Sequence, residues 1–231
     1  MSVGPLSRSV EDYLKAIYGL CETGEAASTS AIAGALDIQP ASVTGMVKRL
    51  ADAGLLEHVP YRGVRLTRRG SREALRVLRR HRILETYLCE RLGFAWDDVH
   101  GEAERLEHAA SDELIERMAA ALGFPRHDPH GAPIPTSAGD IESTDPATLA
   151  DARPGDRVRI RAVRDEVSAD LRSMAAEGLV PGARVLVTEA QGVEGAVEIS
   201  LDEEGAESRA VQDQLARQIY VVPDDPGPEK A

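Results

Sequence analysis

Between His100 and His108 the sequence reads His-Gly-Glu-Ala-Glu-Arg-Leu-Glu-His, and few backbone arrangements accommodate it. On a helix, His100, Glu104, Glu107 and His108 fall at i, i+4, i+7 and i+8 and project from one face, with Ala103, Leu106 and Ala110 available to pack against a neighbour. Two imidazoles and two carboxylates on one stripe repel or stay unpaired when buried, and a divalent cation removes that conflict. Mixed nitrogen and oxygen donors suit Mn(II), Fe(II) or Zn(II) and are too nitrogen-rich for Ca(II) or Mg(II). The competing reading is an acidic helix face with two solvated histidines. The residues that precede the stretch weigh against it.

Those residues form a basic module. Positions 1–82 hold 13 Lys and Arg against 8 Asp and Glu, whereas positions 83–231 hold 14 against 31. The overall charge of −12 therefore conceals a basic segment joined to an acidic body. Between 45 and 82 the imbalance is 11 to 3, the kind of local field that binds nucleic acid. Aromatic residues make up only 3% of the chain, so its cores must be aliphatic. No run of 18 apolar residues and no basic-then-apolar leader is present, and a soluble cytoplasmic protein is expected. Cys21 and Cys89 form no redox or metal motif and are expected to be small buried hydrophobes.

Along the chain, Val10, Tyr13, Leu14, Ile17, Tyr18 and Cys21 define an amphipathic helix with Ser9 as N-cap, Asp12 and Lys15 toward its polar side, and Gly24 ending it. A short helix follows from Thr29 to Leu36, then a turn at Asp37–Gln39, with Pro40 opening a third helix that buries Val43, Met46, Val47 and Leu50. Two short helices across a tight turn form a helix-turn-helix. Thr29, Ser30, Gln39, Ser42 and Thr44 are placed to reach DNA, with Lys48 and Arg49 near phosphates. Leu55–Val59 and Val64–Thr67 read as a hairpin around Tyr61-Arg62-Gly63, a wing with Arg62 at its tip. A helical interaction module with a solvated basic face is the blander alternative for this region.

A long helix is expected over Ser71–Arg91, with His81 and Glu85 at i, i+4. Alone this pair reads as a surface salt bridge; beside the 100–108 stretch it reads as ligand-competent. After Gly93 a second long helix is expected from Trp96 to about Leu122, whose apolar stripe (Leu114, Ile115, Met118, Leu122) asks for a homodimer seam. Residues 125–151 read as a loop, with His127 and His130 solvated. Strands are expected at Asp156–Val163, Arg184–Thr188, Ala196–Leu201 and Ile219–Val222, with short helices at Ser168–Glu177 and Val211–Arg217. Together they suggest a small SH3-like barrel. The expected fold is mainly α. A winged helix-turn-helix (1–73) precedes a helical metal-binding and dimerisation domain (74–140), a linker (141–153), the SH3-like domain (154–223) and a tail (224–231).

Six ordered blocks resemble the diphtheria-toxin-repressor family of metal-dependent transcriptional regulators, including its manganese-transport-regulator branch, over about residues 9–222. They are Glu11-Asp12-Tyr13-Leu14 with Ile17-Tyr18, Pro40–Val47, Tyr61-Arg62-Gly63 with Leu66-Thr67, Arg80–Glu85, Val99–His108 and Gly131–Pro135. The resemblance implies a regulatory metal site at Asp12, Glu104, Glu107 and His108, with His81 nearby. In the iron-sensing branch the first-helix ligand is Met and the position of Glu104 is Cys. Hard oxygen in place of soft sulfur favours Mn(II), with Fe(II) the alternative. The manganese branch supplies a second first-helix carboxylate where this chain has Lys15, which cannot ligate. The resemblance implies a second site at His81, Glu85 and His100, completed from the third domain at positions matching Val167 and Asp170. Val167 cannot ligate, Glu166 adjoins it, and Asp170 is a good oxygen donor.

The expectation is a homodimeric repressor of Mn/Fe homeostasis genes, activated by Mn(II) and bound to an inverted-repeat operator, rather than an enzyme. Rival readings are a metallohydrolase with Glu102 as base, which needs an open coordination position and a cleft, a DNA-binding protein that buffers metal without switching, and a metal-independent winged-helix regulator with a small-molecule pocket in the barrel.

Overall fold

Val10, Tyr13, Leu14 and Ile17 recur at three- and four-residue spacing, and the helix they define, α1 (Arg8–Leu20), buries all four. Its N-cap is Ser7 rather than the expected Ser9, which lies inside the first turn. The structure is a computed structural model that describes residues 6–22, 24–143, 147–164, 168–189, 195–201 and 208–224. Its contacts divide the chain into two compact units. One comprises Met1–Leu84, Glu104–Met118 and Ile134–Glu142, the other Glu85–Ala103, Ala119–Pro133 and Ser143–Ala231.

In the first unit, α1 is followed by α2 (Thr29–Ala35), α3 (Pro40–Asp52) and the antiparallel pair β1 (Leu56–Val59) and β2 (Gly63–Leu66). Ser28 caps α2 by accepting from the Ala31 N–H, and Pro40 opens α3 at a position whose N–H would have no helical partner. Ile32, Val43, Leu50, Leu56 and Val64 close a core with Leu14 and Ile17. Each fully buried Leu or Ile stabilises the unit by about 1.5–3 kcal/mol. Met46, expected in that core, is only half-buried. At the hairpin, Gly63 has φ 125° and its Cα faces the Ala27 carbonyl so closely that a Cβ would overlap it. The helix α4 (Arg68–Leu92) starts three residues before the expected Ser71, because the Thr67 hydroxyl accepts from the Gly70 N–H.

The expected helix over Trp96–Leu122 is two helices, α5 (Val99–Leu106) and α6 (Asp112–Ala121). The ladder ends where the Ala109 and Ala110 N–H groups both return to the Leu106 carbonyl, and Ser111 caps the new helix through the Leu114 N–H. Glu107 and His108 therefore lie in a turn, not on a helix face.

The second unit carries the C-terminal sheet. Strands β3 (Arg157–Val163), β4 (Arg184–Glu189), β5 (Val197–Leu201), β6 (Arg209–Val211) and β7 (Ile219–Pro223) form one antiparallel sheet in the order β6-β5-β4-β3-β7. Helices α7 (Ser168–Ala176) and α8 (Asp213–Ala216) complete this SH3-like domain, with Ile160, Leu171, Met174, Val187 and Ile219 in its core. Strand β6 and the shortened α8 replace the helix expected over Val211–Arg217. Glu166, Val167 and the tail from 225 lie outside the described residues. Among the described residues no helix is long and apolar enough to cross a membrane.

Candidate metal centre

In the first unit, Asp12 from α1 meets Glu107 and His108 from the turn after α5. His108 Nδ1 lies 2.7 Å from Glu11 Oε2; in the tautomer that donates there, the ring carries its lone pair on Nε2. That atom is buried and without a hydrogen-bond partner, 2.8 Å from Asp12 Oδ1 and 3.3 Å from Glu107 Oε1. In that tautomer three lone-pair donors face one another. A divalent cation resolves the conflict, and one ligating atom from each of Asp12, Glu107 and His108 lies within 4.8 Å of the others. With an ion held there, Glu11 would take the carboxylate's part in a carboxylate–histidine–metal arrangement. Arg80 Nη2 in turn donates to Glu11 Oε1 at 2.7 Å.

Glu107 is fully buried and receives more than one donor. His81 Nδ1 lies 2.6 Å from its Oε2, and Lys15 Nζ lies 2.7 Å from its Oε1. Burial alone would raise its pKa, but the His81 hydrogen bond and the Lys15 charge together hold it below the ordinary 4.5. Asp12 moves the other way, raised chiefly by burial and by Glu104, against the pull of His108, Lys15 and Arg8. Burial would lower Lys15, yet Glu107 and Glu104 outweigh it and hold the ammonium above its usual value.

A carboxylate depressed in the folded state stabilises the fold above its unfolded pKa and gives that stability up as pH falls through the folded value. Chelated protein therefore loses stability on acidification below 4.5. Urea melts at stepped pH check this, with Glu107→Gln expected to flatten the profile.

The second unit holds another cluster. Glu85, fully buried on α4, lies 3.2 Å from His100 Nδ1 through Oε1 and 3.8 Å from His130 Nδ1 through Oε2. His130 Nε2 sits 2.7 Å from the Trp96 carbonyl, which fixes the tautomer and turns the Nδ1 lone pair toward Glu85. Asp128 is buried beside them, and ligand atoms of Glu85, Asp128 and His130 lie within 4.8 Å of one another. Nearby, the half-buried Cys89 thiol is pushed up to about 11 by burial first and then by Glu85 and Asp128. That field suits a cation.

Of the sequence-predicted ligands, Asp12, Glu107 and His108 come together as expected. Glu104 instead receives Lys15 Nζ at 2.5 Å, His81 supports Glu107, and His100 stands with Glu85. Asp170 accepts from Gln218 Nε2 at 3.0 Å. His130, expected in a solvated loop, is fully buried, whereas His127 is exposed. The cause is a turn in which Asp128 Oδ1 accepts from the His130 and Ala132 N–H groups. Gly131, at φ 84°, then passes so close to the Arg161 carbonyl that a Cβ would overlap it. Glu11, Arg80, Asp128 and His130 were not foreseen at the site. The signal for the last two was an Asp two residues before a His-Gly pair. The eight residues expected to face DNA (Thr29, Ser30, Gln39, Ser42, Thr44, Lys48, Arg49 and Arg62) are all exposed.

Residues 5–64 match the family described as iron dependent repressor, N-terminal DNA binding domain. Residues 67–136 match its metal binding and dimerisation domain, and 147–223 the FeoA domain. The iron-dependent repressor IdeR of Mycobacterium tuberculosis is 32% identical over 225 residues, covering 92% of this chain and 96% of that protein. The HTH-type transcriptional regulator MntR of Oceanobacillus iheyensis is 38% identical over 120 residues, covering 52% of this chain and 81% of that protein. A solved manganese-dependent transcriptional repressor in complex with manganese is similar at TM-score 0.85 and 36% identity, covering 93% of this chain and 99% of that one.

Proposed function

We propose, from the premise that the chain belongs to the diphtheria-toxin-repressor family of metal-dependent transcriptional regulators, that Mn(II) held by Asp12, Glu107 and His108 is the signal that lets this repressor grip its operator. The observation that carries this reading is the buried, unpartnered His108 Nε2 facing two carboxylate oxygens. Asp12 lies in the DNA-binding segment (5–64), and Glu107 and His108 lie in the metal-binding and dimerisation segment (67–136). An ion shared among them fixes α1 against the α5–α6 turn and so sets how α3 is presented. The protein is a regulator rather than an enzyme.

Oxygen-rich ligation, with one imidazole and no thiolate or thioether, favours Mn(II), which sits lowest in the divalent affinity order and is selected by hard ligands. Fe(II) is the second reading, supported by the likeness to IdeR across 92% of the chain. The cluster of Glu85, Asp128 and His130, with His100 against Glu85, is proposed as an auxiliary ion site. A two-fold dimer in the cytoplasm would read an inverted repeat whose half-sites lie about one helical turn, roughly 10 base pairs, or a multiple of it apart.

The test is fluorescence anisotropy on labelled duplex from the gene's own neighbourhood, with chelator-stripped protein titrated with Mn(II), Fe(II) and Zn(II). Saturable, competitor-resistant binding with Mn(II) the effective ion is the expected result. Preference for Fe(II) selects the second reading, and binding indifferent to metal refutes both. In the same assay Arg49→Ala and Arg62→Ala each lower the slope of log affinity against log salt by about 1, as expected for loss of one phosphate contact. Slopes equal to wild type would remove those residues from the DNA face.

A further inference from the structure

Arg69, Arg72, Arg76 and Arg79 recur along α4 at intervals of three and four residues, so they share one stripe of the helix. The stripe lines a groove of about 550 Å³, with Ile115 of α6 and the turn Thr136–Gly139 lining the rest.

Two of these arginines are committed to carboxylates. Arg76 forms a two-pronged ion pair with Asp112, and Arg79 donates to Glu116 Oε1 through Nε at 3.0 Å and Nη2 at 2.8 Å. Glu73, the third acid of the groove, stands 3.9 Å from Arg76 Nη1. The other two arginines keep their charge open. Arg69 donates to the Ala53 carbonyl at 3.2 Å and meets no carboxylate among the described residues. Arg72 is exposed, its stem against Gly139, and has no hydrogen-bond or ion-pair partner among those residues. They share the groove with the exposed hydroxyls of Thr136 and Ser137. Thr136 Oγ1 accepts from the Asp140 N–H at 3.1 Å, which holds the turn and leaves the hydroxyl proton to donate elsewhere.

A guanidinium fork engages two oxygens of a phosphate at once. Two forks and two hydroxyls call for more oxygens than the two of a single carboxylate, and a phosphate supplies them together with the charge. The volume lies within the range of about 300–1,000 Å³ typical of small-ligand sites. The duplex is the poorer candidate. Arg69 is anchored at the C-terminal end of α3, whereas Ser42 and Thr44 lie in its first turns, and a helix of 13 residues spans about 20 Å.

We propose that this groove binds a small phosphorylated anion, with Arg69 and Arg72 as its charged contacts and Thr136 and Ser137 as hydroxyl donors. The site shares no residue with either ion cluster, and a ligand held there joins α4 to the 136–139 turn.

The experiment is calorimetric titration of the full chain, stripped of metal and dialysed free of chelator, with pyrophosphate, inorganic phosphate and citrate at about 0.15 M salt. Metal-free protein keeps the outcome independent of the ion reading. Saturable binding of pyrophosphate, one per protomer and tighter than citrate, is the expected result. Arg72→Ala and Arg69→Ala should each weaken it about tenfold or more, the loss of a charged donor. Arg72→Lys should fall between wild type and Arg72→Ala, because a lysine keeps the charge without the fork. Arg62→Ala, on the wing, should leave binding unchanged. Arg72 has no partner to strand, so its variants should melt with wild type. Binding that fails to saturate marks an adventitious ion only and overturns the proposal. So does citrate binding as tightly as pyrophosphate, or affinity lost in Arg62→Ala but kept in Arg72→Ala. Operator affinity measured in Mn(II) without added anion should be equal in Arg72→Ala and wild type; a loss there would assign Arg72 to the duplex backbone and overturn the proposal as well.

Discussion

Asp12→Ala is expected to abolish the response of operator binding to Mn(II) while leaving a folded protein. Asp12 supplies the only α1 oxygen in the Asp12–Glu107–His108 group, so its removal cuts the ion's hold on the DNA-binding segment. Couplings of this kind amount to about 1–3 kcal/mol, a 5- to 150-fold gain in affinity on adding the ion, and the gain should fall to about onefold in the variant. Stability in chelator should change little, because the side chain is 32% exposed and its ionised form is disfavoured by burial. Operator titrations with and without Mn(II), paired with thermal melts, check both halves. A variant that keeps its metal response would remove Asp12 from the switch.

Arg80→Ala is expected to cost more in stability than any surface substitution. Arg80 and Glu11 form an ion pair with side chains 10% and 11% exposed, so little solvent is present to screen a stranded carboxylate. Breaking such a pair from one side costs about 3–5 kcal/mol. The loss should not end there, since Glu11 is also the acceptor that fixes the His108 tautomer. Mn(II) affinity should therefore fall by about 10–100-fold. Urea denaturation in chelator reads the first effect and metal titration the second. Adding Glu11→Gln to the Arg80 variant should restore much of the stability, because the stranded charge is gone, without restoring metal affinity. Undiminished stability in the single variant would show that Glu11 is neutralised by something else.

The arrangement of α1, α2, α3 and the hairpin was legible because each boundary is marked locally, by Ser28, Pro40 and the Tyr61-Arg62-Gly63 turn. The gap between α5 and α6 was not, because Leu106, Ala110 and Leu114 keep a helical period straight through it. Only Ser111, a cap in retrospect, marks the restart. That gap matters, since the spacing of His100, Glu104, Glu107 and His108 suggested one face and one site. The structure places Glu107 and His108 with Asp12, and His100 with Glu85. Glu11 was hidden by adjacency: consecutive helical residues point apart, and only an imidazole offering a nitrogen to each of two carboxylates joins Glu11 and Asp12 in one site. Asp128 and His130 were hidden by composition. A stretch rich in Pro, Gly and Asp resembles solvent-exposed loop until the Asp128 turn folds it inward.

If the ion and the operator bind the same state of the protein, each must tighten the other's binding, and the most direct test is reciprocal. The Mn(II) affinity of stripped wild-type protein would be measured with and without saturating operator duplex, beside the operator affinity with and without saturating Mn(II). Linkage requires the two ratios to be equal, and the predicted result is a common factor between about 5 and 150 that collapses to one in Asp12→Ala. Operator that leaves Mn(II) affinity unchanged would mean that the ion occupies Asp12, Glu107 and His108 without governing DNA binding, and would contradict the account.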